Sequence, residues 1–235
     1  MYLYCSLVAG DFDKKSSDID LLVVITSNLD GEVLGRLGQM HARLAEDHPA
    51  WDDRIEVAYV PAPALRRFKT EAGNIAIVSP GEPFHTKAAG KDWLLNWYTV
   101  REIGVALLRP SPRTLIPEIS KAEFVEVVRE QAEAWRRWVY EMRHPGGQAY
   151  AVLTTCRALY THTHGEQASK RTAALWAQGY LPRWASLIRR AWGWRGGVQD
   201  GEVDIEATFS ETVRLVHDVS DRITVTPEGD GLRPS

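Results

Sequence analysis

Two aspartates stand two apart in Ser17-Asp18-Ile19-Asp20, directly ahead of the apolar run Leu21-Leu22-Val23-Val24-Ile25. Side chains two apart on a strand point to the same face, so the spacing predicts that Asp18 and Asp20 converge. Neighbouring carboxylates repel, and beside a buried strand a divalent cation relieves that repulsion; Mg²⁺, a hard ion that takes oxygen ligands, suits them. Glu56 interrupts a second apolar run, Ile55-Glu56-Val57-Ala58-Tyr59-Val60, where it is placed to act as a third oxygen ligand or to take a proton. Upstream, residues 2–11 read as a short strand running into a small-residue turn, in which the Ser6 hydroxyl and backbone N–H groups suit phosphate oxygens. The bland alternative for an Asp-x-Asp is a solvated turn ahead of a strand.

The elements that must position these groups follow from periodicity. Residues 31–46 carry Val33, Leu34, Leu37, Met40 and Leu44 at helical spacing, so the two apolar runs are strands flanking a helix. Residues 61–90 read as loop-rich, and Trp93 to Leu108 is periodic up to Arg109-Pro110, where proline stops a helix. Further helices are expected at about 120–142, 148–163, 170–178, 182–194 and 204–222. Ser120 and Ser169 are read as N-caps, and Gly146-Gly147 and Gly165 as breakers. The fold class is α+β: a small mixed-sheet domain over 1–115, an all-helical bundle over 116–226, and a tail at 227–235 with little to bury.

Composition limits the partners. A chain of 235 residues with 44% hydrophobic content has room for two cores, and its net charge of −3 gives no global attraction to nucleic acid or an anionic membrane. A small-molecule partner and a monomer are expected. Cys5 and Cys156 lack disulfide-scaffold or zinc spacing, and no apolar run reaches the ~20 residues of a membrane span, so a cytoplasmic protein is expected. Met1-Tyr2-Leu3-Tyr4 reads as the middle of a strand, which points to a start upstream of Met1.

Leu3-Tyr4-Cys5-Ser6, Gly10-Asp11 and Ser17-Asp18-Ile19-Asp20-Leu21-Leu22-Val23 together resemble the signature of nucleotidyltransferases related to DNA polymerase β, a Gly-Ser turn followed by an Asp-x-Asp strand. Residues 151–161, then Gly165-Glu166, Ser169-Lys170 and Ala174-Leu175-Trp176-Ala177, resemble the helical C-terminal domain of the aminoglycoside adenylyltransferases that modify streptomycin and spectinomycin. Trp93-Leu94-Leu95-Asn96 and Val100-Arg101-Glu102-Ile103-Gly104 look like that family's linking helix.

The resemblance implies transfer of AMP from ATP to a drug hydroxyl with release of pyrophosphate. Asp18 and Asp20 would bind Mg²⁺, with Glu56 as general base and third ligand. Ser6 and Ser17 would touch the triphosphate, and Lys170 would reach it from the second domain. A polycationic drug calls for acidic and aromatic contacts, for which Trp93, Glu102 and Tyr150 are the candidates. Cys5 departs from the pattern by standing where the family has glycine, whose missing Cβ lets the backbone approach the phosphates. A protein or RNA acceptor, and a catalytically impaired nucleotide-binding remnant, are the alternatives. Arg157 and His162 match a small-toxin ribonuclease spacing by coincidence, His85, His162 and His164 lack metal spacing, and the nine tryptophans suit packing.

Overall fold

The computed structural model describes residues 1–14, 17–26, 29–108, 110–195 and 204–224. The chain divides into two compact units, Met1–Ser120 and Lys121–Ser235.

In the first unit, short runs rich in β-branched, aromatic and other apolar residues build strands β1 (Tyr2–Tyr4), β2 (Ile19–Ile25) and β3 (Ile55–Pro61). They join β4 (Gly73–Ser79), β5 (Glu82–Ala89) and β6 (Val105–Ala106) in a six-stranded sheet of order β5-β4-β3-β2-β1-β6. The β2–β3 pair is parallel and the other pairs are antiparallel. A parallel pair needs a crossover, which α1 (Gly31–Asp47) supplies. Asp30 caps this helix, its carboxylate accepting the Val33 N–H at 2.9 Å. Leu34 and Leu37 pack on one sheet face, formed by Leu21, Val23, Val57 and Tyr59. The alternation then sends Asp20, Leu22, Glu56, Ala58 and Val60 to the opposite face. There Leu22, Ala58 and Val60 are fully buried, and α2 (Ala62–Arg67) and α3 (Leu94–Ile103) pack on the sheet.

Two expectations are corrected in this unit. The stretch 61–90 is a helix and a β-hairpin rather than loop, with Gly81 at φ +76° in the tight turn. Strand β5 is an edge strand with mostly exposed polar side chains, so it lacks an apolar signature, and Pro83 is tolerated because an edge leaves N–H groups unpaired. The helix from Trp93 stops at Ile103 rather than Leu108. At Gly104 a Cβ would lie 2.3 Å from the Val100 carbonyl oxygen, and Val105-Ala106 leaves the helix to pair with β1. A short helix, α4 (Pro112–Leu115), follows.

Among its described residues the second unit consists of α5 (Lys121–Trp138), α6 (Pro145–His164), α7 (Lys170–Tyr180), α8 (Ala185–Trp194) and α9 (Ile205–Thr224). Helix α6 is apolar on most sides and touches the other four, as a central helix must. Gly146 and Gly147 do not break it. They form its first turn behind Pro145, and His144 Nδ1 accepts the Gly147 N–H at 3.1 Å. Gly165 ends α6 in a left-handed conformation, and Ser169 caps α7, as expected. Trp135, Trp184 and Trp194 lie in the bundle core, the packing role expected of them. The buried amide of Gln148 donates to the carbonyl oxygens of Arg143 and Ile205 and accepts from Thr212. The expected tail at 227–235 lies outside the described residues. Among the described residues no helix is long and apolar enough to cross a membrane.

Candidate functional site

Asp20 on β2 and Glu56 on β3 are register partners in the parallel ladder, and Tyr4 on β1 is the register partner of Asp20 on its other side. Register partners share a face, so Tyr4, Asp20 and Glu56 form a row across three strands, at the ends where β2 and β3 begin. The row faces away from α1. Tyr4 is buried, and its phenol is held well above the ordinary tyrosine range, first by desolvation and then by the negative charges of Glu56, Cys5 and Asp20. It therefore stays a neutral hydroxyl beside the two carboxylates.

Asp18 lies between Ser17 and the first residue of β2, so it precedes the ladder that holds Asp20. This approach is tied to β3 from both sides of its backbone. Ile19 N–H donates to the Arg54 carbonyl at 2.9 Å, and the Arg54 guanidinium donates to the Ser17 carbonyl at 2.6 Å. Arg54 also sits over the Trp51 ring, 5.0 Å from its centroid. Ser17 is buried, and its hydroxyl accepts the Asp13 N–H at 2.9 Å, closing a local turn. Sequence reading missed Arg54 and the tyrosine of the row. The signal for the arginine was a cation immediately before the Ile55-Glu56-Val57 run.

The turn after β1 is a 3₁₀ segment at Cys5–Leu7, closed by Ala9 N–H to the Cys5 carbonyl at 2.9 Å and Asp11 N–H to the Ser6 carbonyl at 3.0 Å. Ser6 is half-buried inside it. Cys5 has φ +56°, a left-handed conformation that favours glycine. A glycine at this position thus serves the backbone angle as well as close approach of phosphates.

The remaining candidates are distributed as follows. Lys170 is the first residue of α7, and its ammonium lies over the Tyr150 ring, 4.5 Å from the centroid. Tyr150 is exposed and packs on Trp135 at 5.7 Å between centroids. Trp93 is buried against Trp97 at 5.4 Å and works as a packing residue of the first unit. Glu102 is ion-paired with Arg113 at 2.8 Å. The structure therefore brings together Tyr4, Asp20 and Glu56 in one unit and Tyr150 with Lys170 in the other.

Among the described residues no group of three or more His, Cys, Asp or Glu side chains is so placed that it could hold a metal ion. The donor set nonetheless suits Mg²⁺. That ion keeps several waters and is held by one or two carboxylates, with substrate phosphates completing its octahedron, and two adjacent carboxylates at a strand end are such a half-site.

A family model described as "Aminoglycoside adenylyltransferase, C-terminal domain" matches residues 114–222. Aminoglycoside (3'') (9) adenylyltransferases from Klebsiella pneumoniae and Shigella flexneri are each 28% identical over 198 residues, covering 77% of this chain and 71% of the relative. The crystal structure of spectinomycin adenyltransferase AAD(9) from Enterococcus faecialis, with ATP and spectinomycin, matches with a TM-score of 0.69. It covers 92% of this chain and 90% of that chain at 16% identity, a likeness of fold.

Proposed function

We propose that the chain is an aminoglycoside adenylyltransferase that moves AMP from ATP to a hydroxyl of an aminoglycoside such as streptomycin or spectinomycin, with Mg²⁺, a reading supported by the family match of its helical domain and by its curated relatives. The observation that carries this reading is the pairing of Asp20 with Glu56 across parallel strands, in a chain whose helical domain matches the family.

In the proposed reaction the acceptor oxygen attacks the α-phosphorus of ATP, forming the new ester as the bond to pyrophosphate breaks. Glu56 takes the proton of the acceptor hydroxyl, and its place on a strand fixes the direction from which the acceptor arrives. Asp18 and Asp20, with Glu56 as third ligand, would hold Mg²⁺, which when bound neutralises charge on the phosphates. Ser6, Ser17 and the N–H groups of the turn are assigned to the triphosphate, together with Lys170, whose charge opposes that of the leaving pyrophosphate. Tyr150 and Glu102 are offered to the cationic drug, and Trp93, buried against Trp97, supports the first unit from within. The cytoplasm, which supplies ATP, is the compartment proposed for the reaction.

The test follows pyrophosphate release from Mg²⁺-ATP with a panel including streptomycin and spectinomycin. Release that depends on a drug supports the proposal. AMP transfer to protein or RNA with no drug-dependent release overturns it. One observation favours a second reading, an impaired nucleotide-binding remnant: Cys5 puts a Cβ in a left-handed turn where the family has glycine. Release gained by Cys5→Gly from an inactive parent selects that reading.

A further inference from the structure

The helical unit contains a cavity of about 220 Å³ that none of the residues assigned above enters. Its walls include Arg183, Arg190 and Arg214 against a single carboxylate, Glu211, so the lining carries excess positive charge. Each guanidinium is held by a contact that uses only part of it. Arg183 lies over the Trp184 ring at 4.8 Å, Arg190 pairs with Glu211, and Arg214 Nε donates to the Ser210 carbonyl at 3.3 Å. Trp184 is itself fixed, its indole N–H donating to Asp218 at 2.6 Å. Arginines placed in this way present planar N–H forks whose geometry matches phosphoryl oxygens.

Ser186 of α8 also lines the wall, and the turn Pro182–Trp184 leads directly into that helix, the Ala185 N–H donating to the Pro182 carbonyl. We propose that this cavity is an anion site for a phosphoryl group, bound by Arg183 and Arg214, with Arg190 and Glu211 as a fixed ion pair at its rim. The site goes beyond the adenylyltransferase reading and does not depend on it.

The experiment titrates the full chain with inorganic phosphate, and separately with phenyl phosphate, at constant ionic strength made up with chloride, without ATP, metal or drug. The readout is the indole N–H resonance of Trp184, assigned with Trp184→Phe. The expected result is a saturable shift, weakened at least tenfold in the Arg183→Gln/Arg214→Gln variant and unaltered in Arg36→Gln on α1. The tighter of the two probes identifies the free ion or a phosphomonoester as the source. If the double variant fails to fold, Arg183→Gln and Arg214→Gln alone should each weaken binding several-fold. Absence of saturation, or equal binding by wild type and variants, overturns the site. Because ATP takes no part, a protein that transfers no AMP but binds phosphate leaves this site standing.

Discussion

Asp20 and Glu56 oppose each other across the parallel β2–β3 ladder, and the buried hydroxyl-bearing ring of Tyr4 closes the row beyond Asp20. Two carboxylates in this relationship destabilise the metal-free fold by mutual repulsion and become an asset once a cation arrives. Asp20→Asn should therefore lower pyrophosphate release by about 10²-fold or more, the usual effect of removing a group that stabilises transition-state charge. Its melting temperature without metal should stay equal or rise. Unchanged release, or loss of the circular dichroism spectrum, would remove the site as drawn.

Cys5 holds a left-handed backbone at φ +56°. A non-glycine residue there stores about 1–2 kcal/mol, while glycine gives back roughly 0.4–1 kcal/mol through the unfolded chain. Cys5→Gly should thus be neutral or stabilising by up to about 1 kcal/mol, and Cys5→Val, with its β-branch, should destabilise by about 1–3 kcal/mol. Urea denaturation measures both, and a Cys5→Gly protein less stable than wild type by more than 1 kcal/mol contradicts the assigned strain.

Ser169 and Lys170 are adjacent but separable in their effects. Ser169→Ala removes the bond to the Thr172 N–H and should cost about 1 kcal/mol of stability. Lys170→Met keeps the apolar stem, so it should raise the KM for ATP about tenfold while leaving the melting point within a degree or two, as a charge–phosphate contact worth roughly 1.4 kcal/mol would. An unchanged KM for ATP removes Lys170 from the nucleotide site.

Burial holds His41 below the ordinary imidazole value. His162 is lowered too, first by burial and then by the charge of Arg129. The folded state therefore binds fewer protons than the unfolded one. These groups contribute stability that is present above about pH 6.5, the unfolded imidazole value, and is lost as pH falls below it. Melting temperatures between pH 7.5 and 5 should decline less steeply in His41→Gln and His162→Gln than in wild type. Parallel slopes would exclude both residues from the acid response.

Gly73 opens β4 against α2, where a Cβ would lie 2.3 Å from the Ala64 Cβ. Gly73→Ala forces that contact apart and should cost about 1–3 kcal/mol by overpacking. Ala64→Gly in the same protein should recover part of the loss, which thermal denaturation of the single and double variants would reveal.

Much of this was legible in the chain itself. The apolar runs behind Asp20 and around Glu56 marked both segments as strands, because short buried runs of β-branched residues are a local signal. Ser169 and Gly165 marked a helix start and end because capping is local chemistry. The tertiary structure decided what depends on partners distant in sequence. The polar edge strand β5 exists because β4 pairs with it, Val105-Ala106 is a strand because β1 has an open edge, and Gly146-Gly147 stays helical because His144 caps it and the bundle buries it. It also decided that Tyr4 completes the carboxylate row and that Arg54 ties Ser17 to β3, since register and hydrogen bonds between strands are written in no single segment.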